Sequence, residues 1–304
     1  MTAPRPSYGQ RAEAALVAGL IRLLSRFSPT GAARLGKAVA GTLGPLLPVS
    51  RVAIRNLRLA MPELDAPARR RIMREAWENL GQTAGELVRL GDLHEIPEGA
   101  PGPGYAVIGW EENVAPLLSP GKPIIFFTAH MGNWEVLPPS AYARGVDVGF
   151  MYRAASNPLV NQMILRLREA NFQRKVTMFP KGASGARAAY GWMRQGGALG
   201  LLVDQKLDTG LLVPFFGKPA KTMDALANFA LKFRCPVFPV YSERLGPAHL
   251  RLIYEPALPL PDSGDKQADA VALTTAMNGR VESWIRRQPG SWLWLHRRWP
   301  KGAA

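Results

Sequence analysis

The 304-residue chain is 47% hydrophobic and 20% charged, which excludes a disordered chain and supplies enough apolar residues for a sizeable core in one large domain or two small ones. Its single cysteine, Cys235, excludes an internal disulfide framework, and the four histidines, His94, His130, His249 and His296, are scattered without metal-ligand spacing. A formal net charge of +15 calls for an anionic partner (nucleic acid, lipid headgroups or an acidic carrier protein), and no nucleic-acid-binding signature accompanies it.

Residues 11–27 show a helical apolar pattern with basic residues on one flank, but the uninterrupted apolar part, 14–21, falls short of the ~20 residues that span a bilayer. A second apolar helix, 32–47, is closed by Gly44, Pro45 and Pro48. Together they read as an interfacial, membrane-associating hairpin over 1–50, with Arg22, Arg26, Arg34 and Lys37 at headgroup level. Two core helices of a soluble domain are the alternative. A helix over 51–60 ends at Met61-Pro62. Asp65 and Pro67 then start a long helix to residue 90, with Ile72, Met73, Ala76, Leu80, Leu87 and Val88 facing inward. Gly81 and Gly85 inside it imply close packing against another element. The Pro/Gly-rich stretch 96–104 separates a helical lead-in, to about residue 95, from a sheet starting at 105, all within an α/β unit over 51–304.

From residue 105 strand patterns (105–108, 123–128, 146–152, 176–179, 198–203, 237–242 and 250–254) alternate with helical ones (111–118, 158–171, 183–195 and 223–234). That alternation predicts an α/β fold with a mainly parallel central sheet flanked by helices. Active residues of such sheets lie just beyond the carboxyl ends of strands, where His130, Arg153, Lys181 and Asp204 fall.

His130 follows the buried strand pattern Ile124-Ile125-Phe126-Phe127 and precedes Gly132-Asn133 and Glu135. Histidine exchanges protons near neutral pH, and a carboxylate on one ring nitrogen leaves the other free as a base. On a regular helix a five-residue offset leaves two side chains ~140° apart. His130 and Glu135 therefore meet only if Gly132-Asn133 turns the chain. A loop histidine beside a dipole-favoured glutamate is the bland alternative. Arg166 and Arg168 are two residues apart on a predicted helix, so only one can reach a common pocket. An arginine there suits a phosphate or a developing oxyanion. Asp204-Gln205 follows an apolar strand, which fits either burial beside a cation or a turn. Residues 213–222 carry basic residues among aromatics and prolines, a composition suited to a groove wall beside an anionic, partly greasy ligand, with a plain aromatic-rich loop as the alternative. In the C-terminal run Trp292, Trp294 and Trp299 alternate with His296, Arg297 and Arg298, a composition for membrane or lipid contact. A nucleic-acid stacking platform or a segment docked on the core fits it as well.

The blocks His130-Met-Gly-Asn-Trp-Glu135, Asp204-Gln205, Val213-Pro-Phe-Phe-Gly-Lys-Pro-Ala and Trp292-Leu-Trp-Leu-His-Arg-Arg-Trp299, taken in this order, resemble the late acyltransferases of lipid A biosynthesis, within the lysophospholipid acyltransferase group. Asn56-Leu57, Met61-Pro62-Glu63, Tyr152-Arg153 and Asn157-Pro158 match further blocks. The resemblance implies an O-acyltransferase of lipopolysaccharide biosynthesis at the cytoplasmic face of the bacterial inner membrane. It would move an acyl chain from an acyl carrier protein thioester, with no cofactor, metal or acyl-enzyme, to a hydroxyl of a lipid A precursor. By resemblance His130 is the general base, Glu135 orients its imidazole, and Arg168 and Asp204 are tied to activity. Arg153 is assigned to acceptor phosphate or oxyanion contact. Two departures stand out: a short N-terminal apolar segment, which leaves spanning and peripheral attachment open, and Lys181 where the wider group has glutamate. The rival readings are another acceptor (a lysophospholipid, ornithine lipid or glycolipid), an acyl-CoA donor, a non-catalytic lipid-surface protein, and a nucleic-acid binder, which charge alone supports.

Overall fold

A computed structural model describes residues 6–152 and 154–300. The chain begins with four helices: α1 (Tyr8–Leu24), α2 (Pro29–Leu43), α3 (Ser50–Ala60) and α4 (Ala66–Val88). Ser7, Ser28 and Asp65 cap α1, α2 and α4 by accepting from a backbone N–H in the first turn. The expected close packing of α4 is found, and its partner is α2. A Cβ on Gly81 would lie 2.1 Å from the Gly36 carbonyl oxygen, and one on Gly85 would lie 2.3 Å from that of Ala32. The inward face of α4 changes character along its length. Ile72, Met73 and Ala76 are buried as expected, but further on Asn79, Thr83 and Glu86 take the buried face while Leu80, Leu87 and Val88 are only half-buried.

The central sheet contains seven strands in the order β1-β9-β8-β2-β5-β3-β4. They are β1 (Gly104–Ile108), β2 (Ile125–Thr128), β3 (Val148–Tyr152), β4 (Met178–Pro180), β5 (Ala198–Leu202), β8 (Val237–Gly246) and β9 (His249–Tyr254). Five of the six neighbouring pairs are parallel and only β8 with β9 is antiparallel. The mainly parallel α/β sheet and all seven of its strands thus match the sequence expectation. Side chains alternate across the sheet. Ile125, Phe127, Leu199 and Leu201 join one core, closed by α3, the first half of α4, α7 (Ala183–Arg194), α8 (Ala225–Phe233) and α9 (Lys266–Arg287). Phe126, Val148, Phe238 and Val240 join a second core, against α5 (Leu137–Tyr142), Trp110 and Val114. The helix α6 (Pro158–Phe172) starts at Asn157, whose amide donates to Gln10 O and Glu13 Oε2 of α1.

Three segments differ from expectation. Residues 211–222 form a hairpin of β6 (Leu211–Phe215) and β7 (Lys218–Thr222) instead of a loop, turning at Phe216 and Gly217, both with positive φ. Pro214 and Pro219, which hide the strands in the sequence, lie opposite each other in a ribbon outside the main sheet. The 22-residue α9 has no sequence expectation at all; Leu273, Met277, Val281 and Trp284 bury its inner face. Residues 111–118 form a π-type turn (Trp110–Val114) running into a 3-10 turn (Ala115–Leu117) where an α-helix is expected; Pro116 lacks the N–H that an α-helix would need.

No helix among the described residues is long and apolar enough to cross a membrane. Leu16, Leu20 and Leu23 of α1, Val39 and Leu43 of α2, and Leu46 just after it nonetheless stand exposed.

Candidate active site

Strand β2 ends at Thr128 and delivers His130 to the carboxyl edge of the sheet; its neighbour β5 delivers Asp204. The two meet. Asp204 Oδ1 lies 2.8 Å from His130 Nδ1, and Oδ2 accepts the backbone N–H of His130 at 3.0 Å and the indole N–H of Trp292 at 2.8 Å. Asp204 is fully buried. Burial alone pushes its carboxyl pKa up, but the adjacent His130, by charge and hydrogen bonds, together with His296, outweighs burial and holds it well below the usual carboxylate range. Asp204 is thus an ionised acceptor that takes the Nδ1 hydrogen and leaves Nε2 of His130 free, with Gln205 Nε2 3.4 Å away. His296 packs edge-on against Trp292 and places Nε2 3.2 Å from the Asp204 carbonyl oxygen. Burial holds this second imidazole below its ordinary pKa, against the opposing pull of Asp204.

Glu135 does not orient the histidine, as the resemblance implied. Gly132 turns the chain with φ 59°, Asn133 Oδ1 accepts the Glu135 N–H at 3.0 Å, and Trp134 through Val136 form one 3-10 turn. This geometry points Glu135 at α6, where its carboxylate receives Arg168 Nε at 2.8 Å and Nη2 at 2.6 Å, with the Trp134 indole N–H at 3.1 Å. Burial lowers the Arg168 pKa, but the Glu135 charge and hydrogen bonds overcome that and leave it raised. Arg166 is exposed, so of the two arginines only Arg168 turns inward. Trp134 fills the space between the two pairs, its ring centroid 5.1 Å from that of His130.

The turn after His130 is held from behind by residues with no signal in the local motif. Gly132 O accepts from Asn79 Nδ2 at 3.0 Å and Thr83 Oγ1 at 2.9 Å, and Gly132 N–H donates to Ser291 O. A Cβ at Gly132 would sit 2.1 Å from the Ser242 carbonyl oxygen, so only glycine fits this approach. Asn133 Nδ2 donates to Glu86 Oε2 at 2.8 Å, and that fully buried carboxylate is clamped by Arg244 through both terminal nitrogens. One clue exists in the sequence. Asn79, Thr83 and Glu86 recur at i, i+4 and i+7, a polar stripe on a helix face that must be buried.

The C-terminal run is docked on the core, one of the readings its composition allows, and its tryptophans face inward. Trp292, Trp294, Arg298 and Trp299 are buried, and only Arg297 is exposed. Each indole N–H finds an internal acceptor: Asp204 for Trp292, Pro289 O for Trp294 and Phe215 O for Trp299. Arg298 donates to Lys221 O and Thr222 Oγ1 and lies over the Phe215 ring. Leu293 N–H donates to His130 O, so this run docks directly on the His130 loop. Arg153 lies outside the described residues. Lys181 is exposed beyond the edge strand β4, two strands from β5.

Beside the His130 loop an apolar cavity of ≈ 800 Å³, counting the part open to solvent, enters the second core. Glu135, Arg168 and Trp134 line it together with Thr128 and Tyr152 from the carboxyl ends of β2 and β3, and Phe126, Phe150 and Gly200 line it further along the strands. An apolar slot beside a His–Asp pair can hold an apolar ligand next to an imidazole able to take up a proton. The bacterial lipid A biosynthesis acyltransferase family model matches residues 3–301. The chain belongs to that family. No curated protein sequence matches it. Family membership makes the protein an acyltransferase of lipid A biosynthesis.

Proposed function

We propose that this acyltransferase moves a fatty acyl chain directly from an acyl carrier protein thioester to a hydroxyl of a lipid A precursor, with His130 as general base. The observation that carries the reading is the His130–Asp204 pair beside the apolar cavity. Nε2 takes the proton of the acceptor hydroxyl, and the oxygen attacks the thioester carbonyl whose acyl chain fills the cavity. The tetrahedral oxyanion collapses, the C–S bond breaks, and the thiolate recovers the proton from the imidazolium, so no acyl-enzyme or cofactor is needed. Asp204 stabilises the imidazolium as it forms. General-base assistance of this kind contributes roughly 10²–10⁴-fold. Arg168, whose Nη1 is not engaged by Glu135, faces the carbonyl oxygen, and the Glu135 carboxylate fixes that guanidinium.

The exposed leucines of α1 and the exposed Arg22, Arg26 and Arg34 support peripheral attachment to an anionic bilayer, as at the cytoplasmic face of an inner membrane. The net charge of +15 also favours encounter with an acidic carrier protein. The deciding experiment incubates the purified chain, in anionic vesicles, with carrier-protein thioesters of several chain lengths and a lipid A precursor, and reads the product by mass spectrometry. A mass gain of one acyl chain is expected. Gain only on lysophospholipid, ornithine lipid or glycolipid acceptors, or only from acyl-CoA, overturns the acceptor or the donor respectively.

A further inference from the structure

The cavity wall contributed by the sheet is built in levels, because the strands are in register and only alternate side chains face it. Thr128 and Leu202 pair at the mouth, Phe126, Gly200 and Phe150 pair across β2, β5 and β3 at the middle level, and Val148 lies one level deeper. At the middle level Gly200, without a side chain, stands between two phenylalanines. The Phe150 ring leans into the space this leaves. A Cβ on Gly200 would lie 2.6 Å from Phe150 Cε1, 2.7 Å from Cδ1 and 3.2 Å from Val148 Cγ1. Phe150 is held edge-on by Tyr142 of α5, with ring centroids 6.5 Å apart. Any side chain at 200 therefore drives the Phe150 ring away from the sheet, which is toward the cavity.

We infer that Gly200 and Phe150 together set the depth of the acyl cavity and so the longest acyl chain this protein accepts, an inference that rests on the acyl-transfer reading above. From Tyr152 at the mouth to Val148 the wall spans four residues of β3, about 13 Å. At the carbon spacing of an extended chain this holds on the order of ten carbons beyond the thioester. The substrate class is a medium-length acyl chain, and the Phe150 ring, leaning over Gly200, decides whether the far half of that chain can pass the middle level. Tyr254, fully buried and hydrogen-bonded through its hydroxyl to Ser140, also lines the cavity.

The test measures two quantities on the full-length wild type and on Gly200→Ala, Phe150→Leu and the double variant. The first is the binding of carrier-protein thioesters of eight to sixteen carbons without acceptor; the second is their relative kcat/KM in transfer. Gly200→Ala should shift the optimum at least two carbons shorter, and Phe150→Leu should shift it longer. Each methylene that no longer fits should lower the long-to-short ratio by roughly 10–200-fold. The double variant should return toward the wild-type optimum. If Gly200→Ala does not fold, Phe150→Leu alone decides. Variants that scale all chain lengths equally overturn the inference. Length-dependent binding that shifts in the variants while no acceptor is acylated upholds it and overturns the acyl-transfer reading instead.

Discussion

Replacing Asp204 with asparagine removes the charge beside His130 while keeping the side-chain shape. In the native site Oδ2 accepts two N–H groups, from the His130 backbone and the Trp292 indole, and Oδ1 accepts the ring. An amide offers one oxygen and turns its own N–H groups toward donors, so at least one buried donor is stranded, at about 1–3 kcal/mol of stability. The larger effect is on rate. Without the carboxylate the Nδ1–H tautomer is no longer enforced and the imidazolium loses its counter-charge, so kcat should fall by roughly 10²–10⁴-fold, ~2.7–5.5 kcal/mol of barrier. Asp204 does not line the cavity, so KM for the thioester should stay within a few-fold. Glu135→Gln, at the cavity mouth beside Arg168, should instead act on thioester positioning and leave the pH profile in place. The assay is steady-state transfer read by mass spectrometry, at a temperature where near-ultraviolet circular dichroism shows the variant folded. A folded Asp204→Asn protein with kcat within threefold of wild type would refute the pairing as the source of the base. So would a Glu135→Gln protein whose pH–rate profile shifts as that of Asp204→Asn does.

Other perturbations test the rest of the arrangement. Trp294→Ala should lower unfolding free energy in urea by about 3–5 kcal/mol, because the ring is fully buried; unchanged stability with lost vesicle binding would restore the lipid-contact reading. Glu86→Ala strands the Arg244 guanidinium and should cost about 3–5 kcal/mol, with Glu86→Gln milder; a cost below ~1 kcal/mol would show the pair to be dispensable. The folded-state pKa of His296 lies below its unfolded value, so as pH falls through about 6.5 the unfolded chain takes up a proton that the folded one refuses. Stability should therefore drop on acidification from neutral pH, whereas the contribution of Asp204, depressed beneath the carboxylate range, persists until far more acid conditions. Urea titrations at pH 7.5 and 5.5 should show a smaller drop for His296→Gln than for wild type, and equal drops would exclude His296 as its source.

What could be read from the chain follows the range of the interactions. The β2 run, the Gly132-Asn133 turn and the position of His130 depend on a dozen adjacent residues, and all are found as expected. Proximity in sequence favours Glu135 as the partner of His130, whereas Asp204 is 74 residues away and arrives only because β5 pairs beside β2. The tryptophan run misleads for a related reason. An indole carries both an apolar body and one donor, so burial or an interface suits it equally until the acceptors at Asp204, Pro289 and Phe215 are placed. In α9 Thr274, Thr275 and Gly279 dilute the helical pattern, and burial of one face overrides that weak propensity.

Strand alternation separates the two jobs of the site. On β2 and β5, the Phe126 side chain packs in the core that the cavity enters, while those of Phe127 and Leu201 pack in the opposite core, together with Trp292. The backbone and the ring of His130 are both bonded to the same carboxylate, so the base cannot rotate without displacing its own loop. Chain-length selection at Gly200 can therefore change without moving the proton-transfer geometry. In thermodynamic terms Gly200→Ala and Asp204→Asn should be additive, their combined loss in kcat/KM for a short-chain thioester equalling the sum of the separate losses within ~0.5 kcal/mol. Measuring the four rates with one short thioester checks this. A coupling of 1 kcal/mol or more would mean that the acyl wall and the His130–Asp204 pair move as one unit, and that changing chain length in this protein also changes its chemistry.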